Sequence, residues 1–172
     1  MLSKEMSDSE EETRSFLINL PVFSSFNVDE LSIFARHMSF IHLQRGEYLF
    51  VEGDQGTFLG FVVSGILEVQ KRADTGENIT LARLTKGSSI GEMALIDKSP
   101  RSATVIARQA TTVVTLTDKG FELLAERYPP LGIKVIQKVA RLLSLNMRRT
   151  SSKLADLMQS SLYEDPSEHN NH

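Results

Sequence analysis

The chain of 172 residues contains no cysteine and only four histidines, two of which stand at its C-terminal end. Without cysteine the chain forms no disulfide, has no cysteine nucleophile and offers no thiolate to zinc, and it suits a reducing compartment. His37 and His42 alone are too few for a histidine metal cage. We therefore expect no metal site.

Neither sign of charge dominates, and no long apolar run is present. Nineteen Lys+Arg stand against twenty-two Asp+Glu, a formal charge of -3, so the sequence lacks the basic field typical of nucleic-acid-binding proteins. No run approaches the roughly 18–20 apolar residues of a membrane span. The first fifteen residues are acidic and contain no apolar run of the kind that follows the basic start of a secretory signal. We expect a cytoplasmic protein without direct DNA or membrane binding.

Short apolar runs separated by turn-forming residues fill the middle of the chain, where eight of the ten glycines fall between Gly46 and Gly91. Such spacing is typical of short antiparallel strands. The runs cover residues 40–43, 48–51, 58–63, 66–70, 79–84, 103–107 and 111–116, and a hairpin turn is predicted at 74–77. The fold class predicted is mainly β: a jelly-roll β-barrel of about eight strands, with an N-terminal helix and a long C-terminal helix.

Helix signals flank the predicted strands. Asn27 followed by Glu30 resembles a capping box and predicts a helix through His37, and Thr117 is the predicted cap of a second helix. A pair of prolines at 129–130 begins a third helix. We divide the chain into an acidic flexible tail over residues 1–12, a β-roll with flanking helices over 13–128, a long C-terminal helix over 129–159 and a flexible tail over 160–172.

The long helix carries a seam at heptad spacing, formed by Ile136, Ala140, Leu143, Met147, Thr150, Leu154 and Leu157. The seam either packs on its own barrel or pairs with a second copy. We favour a homodimer, because the helix is longer than a small barrel covers.

The same helix carries basic residues at Lys134, Lys138, Arg141, Arg148, Arg149 and Lys153. These form either a solvated face or a surface for an anion. That anion would be a ligand phosphate or the acidic segment of residues 8–12.

The segment from Ile90 to Val105 contains the candidate site, at an opening of the predicted barrel. Gly91 allows the backbone to approach a ligand closely, and the helix formers from Glu92 onward predict one turn with exposed N–H groups. Arg101, nine residues after Glu92, suits a phosphate, and the carboxylate suits a sugar hydroxyl. From these residues alone, a ligand site and a surface ion pair both remain open.

The same segment resembles the phosphate-binding cassette of cyclic-nucleotide-binding domains. These domains occur in protein kinase A regulatory subunits, cyclic-nucleotide-gated channels and the bacterial catabolite activator. The family pattern, Phe-Gly-Glu-x-Ala-Leu, four variable residues and Pro-Arg-small-Ala-Thr-Val, is matched except for Ile90 in place of Phe. Residues 52–56 and 64–69 are similar to the family's barrel repeat. Thr57 and Gly60 depart from the pattern, but in a strand outside the cassette.

The resemblance implies roles for the matching residues. Arg101 would pair with the phosphate oxygens of the ligand, and Glu92 would accept a hydrogen bond from the ribose 2′-hydroxyl. The backbone near Ala94 and the hydroxyl of Ser102 would complete the phosphate shell. The predicted cyclic-nucleotide-binding residues are Leu81, Gly91, Glu92, Met93, Ala94, Arg101, Ser102 and Ala103.

Two further groups would contact the base if the resemblance holds. Leu81 and Met93 would form an apolar wall, although both also suit core packing. Thr150 and Ser151 on the long helix are the candidate base cap, because a Thr-Ser pair occupies a similar place in the activator. Thr150 is equally suited to a polar position in the dimer seam.

The function predicted is a cytoplasmic cyclic-nucleotide receptor that binds cAMP in preference to cGMP and signals to an unknown partner through movement of the C-terminal helix. Such a receptor has no catalytic residues, so the chain is predicted not to be an enzyme and to need no cofactor. The alternative is a structural or dimerisation module of the same fold without a ligand. A cupin-type enzyme is disfavoured by the shortage of histidines, and a transcription factor by the absence of a helix-turn-helix. The sequence leaves open whether a cyclic dinucleotide replaces the mononucleotide.

Overall fold

A computed structural model describes residues 2–163 of the chain, and side chains from residue 10 to residue 159. The helices are α1 (Leu2–Leu17), a 3₁₀ helix (Pro21–Phe23), α2 (Val28–Ala35), α3 (Glu92–Asp97), α4 (Asp118–Arg127) and α5 (Pro129–Tyr163). The strands are β1 (Met38–Leu43), β2 (Tyr48–Phe50), β3 (Phe58–Ser64), β4 (Leu67–Arg72), β5 (Asn78–Leu84), β6 (Ser89–Ile90), β7 (Thr104–Ala107) and β8 (Thr111–Thr117). In this part of the chain, no helix has the length and apolarity needed to span a membrane.

The eight strands form two antiparallel sheets of four, ordered β1-β8-β3-β6 and β2-β7-β4-β5. Both sheets contain non-sequential neighbours, so the chain crosses between them in the manner of a jelly roll. The predicted fold class is confirmed, although the sheets face one another rather than closing into one continuous barrel. Between them lies an apolar cluster of Leu43, Val62, Leu67, Val105, Ala107 and Val113.

Each of the seven predicted runs contains or overlaps an observed strand. The hairpin predicted at residues 74–77 joins β4 to β5, and the N–H of Ala73 donates to the carbonyl of Glu77 at 2.8 Å. The predicted runs do not include β6, because two residues are too few to show a period. That strand completes one sheet by pairing with β3.

The N-terminal region differs from the acidic flexible tail predicted over residues 1–12, because helix α1 begins at Leu2. Its C-terminal end is buried through Phe16 and Leu17 in the larger core cluster, which anchors the helix. Along α1, Glu10 accepts from the Nε of Arg36 at 3.2 Å. This carboxylate therefore lies against the end of α2 and not against the basic residues of the long helix.

The predicted caps are confirmed. The backbone N–H of Asn27 donates to Glu30 at 2.8 Å, and that of Glu30 donates to the Asn27 side chain at 2.9 Å, which is a complete capping box. Helix α2 then ends at Ala35, two residues before His37. The hydroxyl of Thr117 accepts from the N–H of Gly120 at 3.1 Å and begins α4.

Helix α5 has two parts. In the first, Leu131, Val135 and Val139 are buried in the larger core cluster, and Leu142 and Leu143 pack against it. From Met147 to Gln159 every residue is exposed, and Met147 itself is 72% exposed. Of the predicted seam, only Leu143 packs on the core. Ile136 is half-buried outside that cluster and Ala140 is exposed, because a different face of α5 meets the roll. The helix runs on to Tyr163, and the rest of the tail predicted over 160–172 lies outside the described residues.

Candidate functional site

Helix α3 and the loop that follows it lie between β6 and β7, at one end of the roll. Gly91 precedes the helix with φ 78° and ψ 20°, in the left-handed region that favours glycine. A Cβ at this position would lie 2.3 Å from Nη1 of Arg101 and 3.0 Å from the carbonyl oxygen of Phe58. Gly91 thus permits both the turn and the close approach of the arginine.

Arg101 is only 5% exposed, which is unusual for an arginine. Its Nη2 donates to the carbonyl oxygen of Phe58 at 2.8 Å, and its Nη1 donates to that of Gly91 at 3.4 Å. The guanidinium carbon lies 4.1 Å from the centroid of the Phe50 ring and 4.4 Å from that of Phe58. Two aromatic rings and two carbonyls therefore hold the cation in place.

No carboxylate in the described part of the chain forms an ion pair with Arg101, and its buried Nε has no hydrogen-bond partner there. Burial lowers the pKa of the guanidinium, and the more distant charges of Asp118, Asp54 and Glu92 act in the opposite direction. A buried cation without a counter-ion is energetically unfavourable unless an anion joins it. Arg101 is therefore suited to receive an anionic ligand group.

Glu92, the first residue of α3, is 6% exposed. Its Oε1 accepts hydrogen bonds from the hydroxyl of Ser89 and from Nδ2 of Asn146, the latter at 2.9 Å. The surface ion pair between Glu92 and Arg101 that the sequence left open does not form in the structure. Both side chains are buried, and each is held by other groups.

Two adjoining cavities border these residues. A cavity of about 120 Å³ is lined by Phe50, Val69, Ile90, Gly91, Glu92, Met93, Ala94, Pro100, Arg101, Ser102, Ala103 and Val105. A larger one of about 690 Å³ lies between helix α5 and strands β4 to β6. The two share Val69, Ile90 and Glu92, so Glu92 stands where they meet.

The structure brings together seven of the eight predicted binding residues around the smaller cavity. Ala94 and Ala103 are buried there, Met93 is half exposed, and Ser102 is exposed. The carbonyl of Ser102 accepts from Nζ of Lys71 at 2.8 Å, which fixes this end of the loop. Their contacts with a ligand remain predictions.

Leu81 is the eighth residue, and it lines neither of these cavities. Val69 pairs with Ala82 and Gln70 with Thr80, so Leu81 is the extra residue of a β-bulge and is 50% exposed. Its neighbour Ala82 lines the larger cavity instead. Leu81 therefore has no place in the wall of either cavity, and its contact with the base stays a prediction.

Of the predicted base cap, Thr150 lines the larger cavity and Ser151 does not. Successive helix residues point about 100° apart, so only one member of such a pair faces a given cavity. The role of Thr150 remains a prediction.

Sequence reasoning missed three residues of the site. Phe50 and Phe58 were assigned only to strands, and Asn146 was not considered because it lies between seam positions on the long helix. The basic character of the helix near Arg149 was the available signal that this face adjoins a site, since Arg149 lines the larger cavity. The cavities together offer a buried cation, a held carboxylate and an apolar floor, which fits a compact ligand with a phosphate and a sugar hydroxyl.

The region that contains the strands and the site is also the region that matches known proteins. Residues 40–128 match the family model described as the cyclic nucleotide-binding domain. The chain is 32% identical over 114 residues to a cAMP-dependent protein kinase regulatory subunit of Mycosarcoma maydis, which covers 63% of this chain and 22% of that protein. It is 28% identical over 134 residues to the cyclic AMP receptor protein of Thermus thermophilus, covering 78% and 60% of the two chains.

Among solved structures, a cyclic nucleotide-binding domain from Methylobacillus flagellatus matches with a TM-score of 0.77 and 28% identity, over 86% of this chain and 83% of that one. The chain thus spans about a fifth of the kinase regulatory subunit and 60% of the receptor protein.

Proposed function

The chain belongs to the cyclic nucleotide-binding domain family, and from that premise we propose that it is a receptor for a 3′,5′-cyclic nucleotide, with cAMP preferred over cGMP. The family is one of regulatory ligand-binding domains rather than catalytic ones. Binding of ligand would be passed on by movement of helix α5 to a partner. A second copy of the chain and a downstream protein are the partners proposed.

The observation that carries the proposal is the buried, unpaired guanidinium of Arg101. A cyclic phosphate has one negative charge and two exocyclic oxygens, which match a planar guanidinium. The smaller cavity borders Arg101 and Glu92 together, so one ligand would contact the cation through its phosphate and the carboxylate through its ribose. The alternative, a module without a ligand, leaves the burial of Arg101 uncompensated.

The preference for cAMP over cGMP is part of the proposal. Two relatives are named for cyclic AMP, one a kinase regulatory subunit and the other a receptor protein. Ser102 follows Arg101 and suits either purine, since a hydroxyl there contacts guanine in some sites of the family. The affinity ranking of cAMP, cGMP and cyclic dinucleotides by titration calorimetry decides among these ligands.

The test of the site is Arg101→Ala. We expect its affinity for cAMP to fall about 30-fold to several thousand-fold, since a buried ligand charge that loses its partner costs about 2–5 kcal/mol. Arg108→Ala is the matched control, because Arg108 is half exposed, pairs with Glu68 and lines neither cavity. Arg101→Lys, which keeps the charge but loses the planar fork, replaces Arg101→Ala if the latter does not fold.

Binding of cAMP to Arg101→Ala within a few-fold of the unchanged protein would contradict the assignment of the site. If the unchanged protein binds no cyclic nucleotide at all, the ligand-free module is the correct function.

The homodimer is proposed through the second half of α5. Met147, Leu154 and Leu157 are exposed at heptad spacing there, and an apolar stripe of this kind is typical of a two-helix interface. Sedimentation equilibrium should give twice the chain mass, and Leu154→Glu should shift the protein to monomer. A monomeric unchanged protein at tens of micromolar would contradict the dimer.

A further inference from the structure

The two oxygens of the Glu92 carboxylate have different surroundings. Oε1 accepts from both the Ser89 hydroxyl and the Asn146 amide. Within the described residues, no donor contacts Oε2. A carboxylate whose one oxygen is held by two donors has little freedom to rotate, so the second oxygen keeps a fixed direction.

The donors come from distant parts of the chain. Ser89 belongs to strand β6, three residues before Glu92, whereas Asn146 lies on helix α5, 54 residues after it. Both line the larger cavity, at the place where Glu92 joins it to the smaller one. Glu92 is therefore oriented by the roll on one side and by the long helix on the other.

Asn146 is also the last half-buried residue in the described part of α5. The preceding turn packs on the core through Leu142 and Leu143, and every residue from Met147 to Gln159 is exposed. Along the described part of α5, no later residue donates a hydrogen bond to the roll. The Asn146–Glu92 bond thus exists only while the helix lies in this position.

We propose that Asn146 is a positioning residue for ribose recognition: with Ser89 it holds Oε1 of Glu92 so that Oε2 accepts the 2′-hydroxyl of the ligand. This inference rests on the proposed function, to which it adds a residue that determines specificity for the ribose. Because α5 supplies one of the two donors, affinity for a ligand with a 2′-hydroxyl depends on the docked helix. By linkage, such a ligand stabilises the docked helix to the same degree.

The test compares cAMP with 2′-deoxy-cAMP, which differ only in the hydroxyl that Glu92 would accept. Calorimetric affinities are measured for the unchanged protein, Asn146→Ala and Ser89→Ala. Ser144→Ala, an exposed position on the same helix, is the matched control. Thermal unfolding shows that each variant is folded.

We expect Asn146→Ala to weaken cAMP binding about fivefold to tenfold, because a hydrogen bond to a charged group is lost from the oriented site. Affinity for 2′-deoxy-cAMP should stay within about twofold, since that ligand does not use Oε2. Ser89→Ala should change the ratio of the two affinities in the same direction, and Ser144→Ala should not change it.

Three results would overturn the inference. Equal weakening of both ligands by Asn146→Ala would assign Asn146 to the base or to folding. Tighter cAMP binding would mean that the amide competes with the ribose, and unchanged affinities for both ligands would mean that it has no role in ribose recognition. Failure of the proposed function is distinguishable, because the unchanged protein would then bind neither ligand.

Discussion

Two buried charged regions of the roll differ in how their charges are satisfied. In the first, Glu68 on β4 is 1% exposed and receives hydrogen bonds from Arg108, from Arg83 at 3.3 Å, from Gln70 at 2.8 Å and from Thr80 at 3.0 Å. Bonding by Arg108 and then Gln70 lowers the pKa of Glu68 to about 2. The chain itself neutralises this carboxylate.

In the second region, Arg101 and Glu92 are nearly as buried, and neither is paired with a charge of opposite sign within the described residues. Carbonyls and aromatic rings hold the arginine, and a hydroxyl and an amide hold the glutamate. These contacts fix the orientation of the two side chains without neutralising their charges. A network that neutralises itself stabilises the fold, whereas one that holds charges apart is available for a ligand.

Among changes that leave Arg101 and Glu92 in place, the largest expected effect comes from closing the space in which Arg101 lies. Gly91→Ala places a Cβ 2.3 Å from Nη1 of Arg101 and strains a residue at φ 78°. We expect a loss of about 2–4 kcal/mol of stability and at least tenfold weaker cAMP binding, because the guanidinium must move. Denaturant unfolding and calorimetry measure the two effects.

Gly46→Ala is the control for Gly91→Ala. Gly46 has φ 90°, and a Cβ there meets nothing within 4 Å, so only the backbone strain of about 1–2 kcal/mol applies. Its affinity for cAMP should not change. If both variants lose the same stability and keep the same affinity, Gly91 is needed only for the turn.

A smaller effect, confined to stability, is expected in the self-neutralised region. Glu68→Gln removes the charge between Arg108 and Arg83 and should lower stability at neutral pH by about 1–2 kcal/mol, because both arginines remain able to reach water. Affinity for cAMP should stay within about twofold. A large loss of affinity would show that the two regions are not independent.

The variant Glu68→Gln also tests how the stability of the fold depends on pH. The ordinary pKa of 4.5 for Glu68 falls to about 2 in the folded chain, so as pH drops the unfolded state takes up the proton first. The stability that Glu68 contributes is present above about pH 4.5 and is lost between there and pH 2. Urea unfolding of the unchanged protein and of Glu68→Gln should therefore converge toward low pH. If the difference in stability between the two proteins stays constant as pH falls, the lowered pKa does not belong to Glu68.

Much of the fold was predictable because the strands are short apolar runs bounded by turn formers, and because Asn27 and Thr117 cap helices through neighbours three residues away. The two departures from the predicted fold, strand β6 and helix α1, each have a physical reason. Strand β6 has two residues and is defined by its pairing with β3. The acidic residues of helix α1 predict a flexible tail. The helix is held in place by burial of Phe16 and Leu17 in the larger core cluster, most of whose other members are distant in sequence.

The site was predictable as far as it is a contiguous segment. Gly91, Glu92 and Arg101 were chosen because a turn, a carboxylate and a guanidinium close together in sequence suit a phosphorylated sugar. The rings around Arg101 and the amide on Glu92 were missed, since Phe50, Phe58 and Asn146 are far away along the chain. The bulge at Leu81 has no signal in the sequence, because it is defined by the pairing of β5 with β4.

The amino-acid sequence by itself determined the β-roll class, the caps of its helices and the segment that holds Glu92 and Arg101. These depend on periodicity and on bonds between near neighbours. Only the tertiary structure decided that Arg101 is buried between two rings without a counter-ion, and that Asn146 reaches Glu92 from α5. Burial and the pairing of charges depend on which distant elements meet, and no local pattern encodes that meeting.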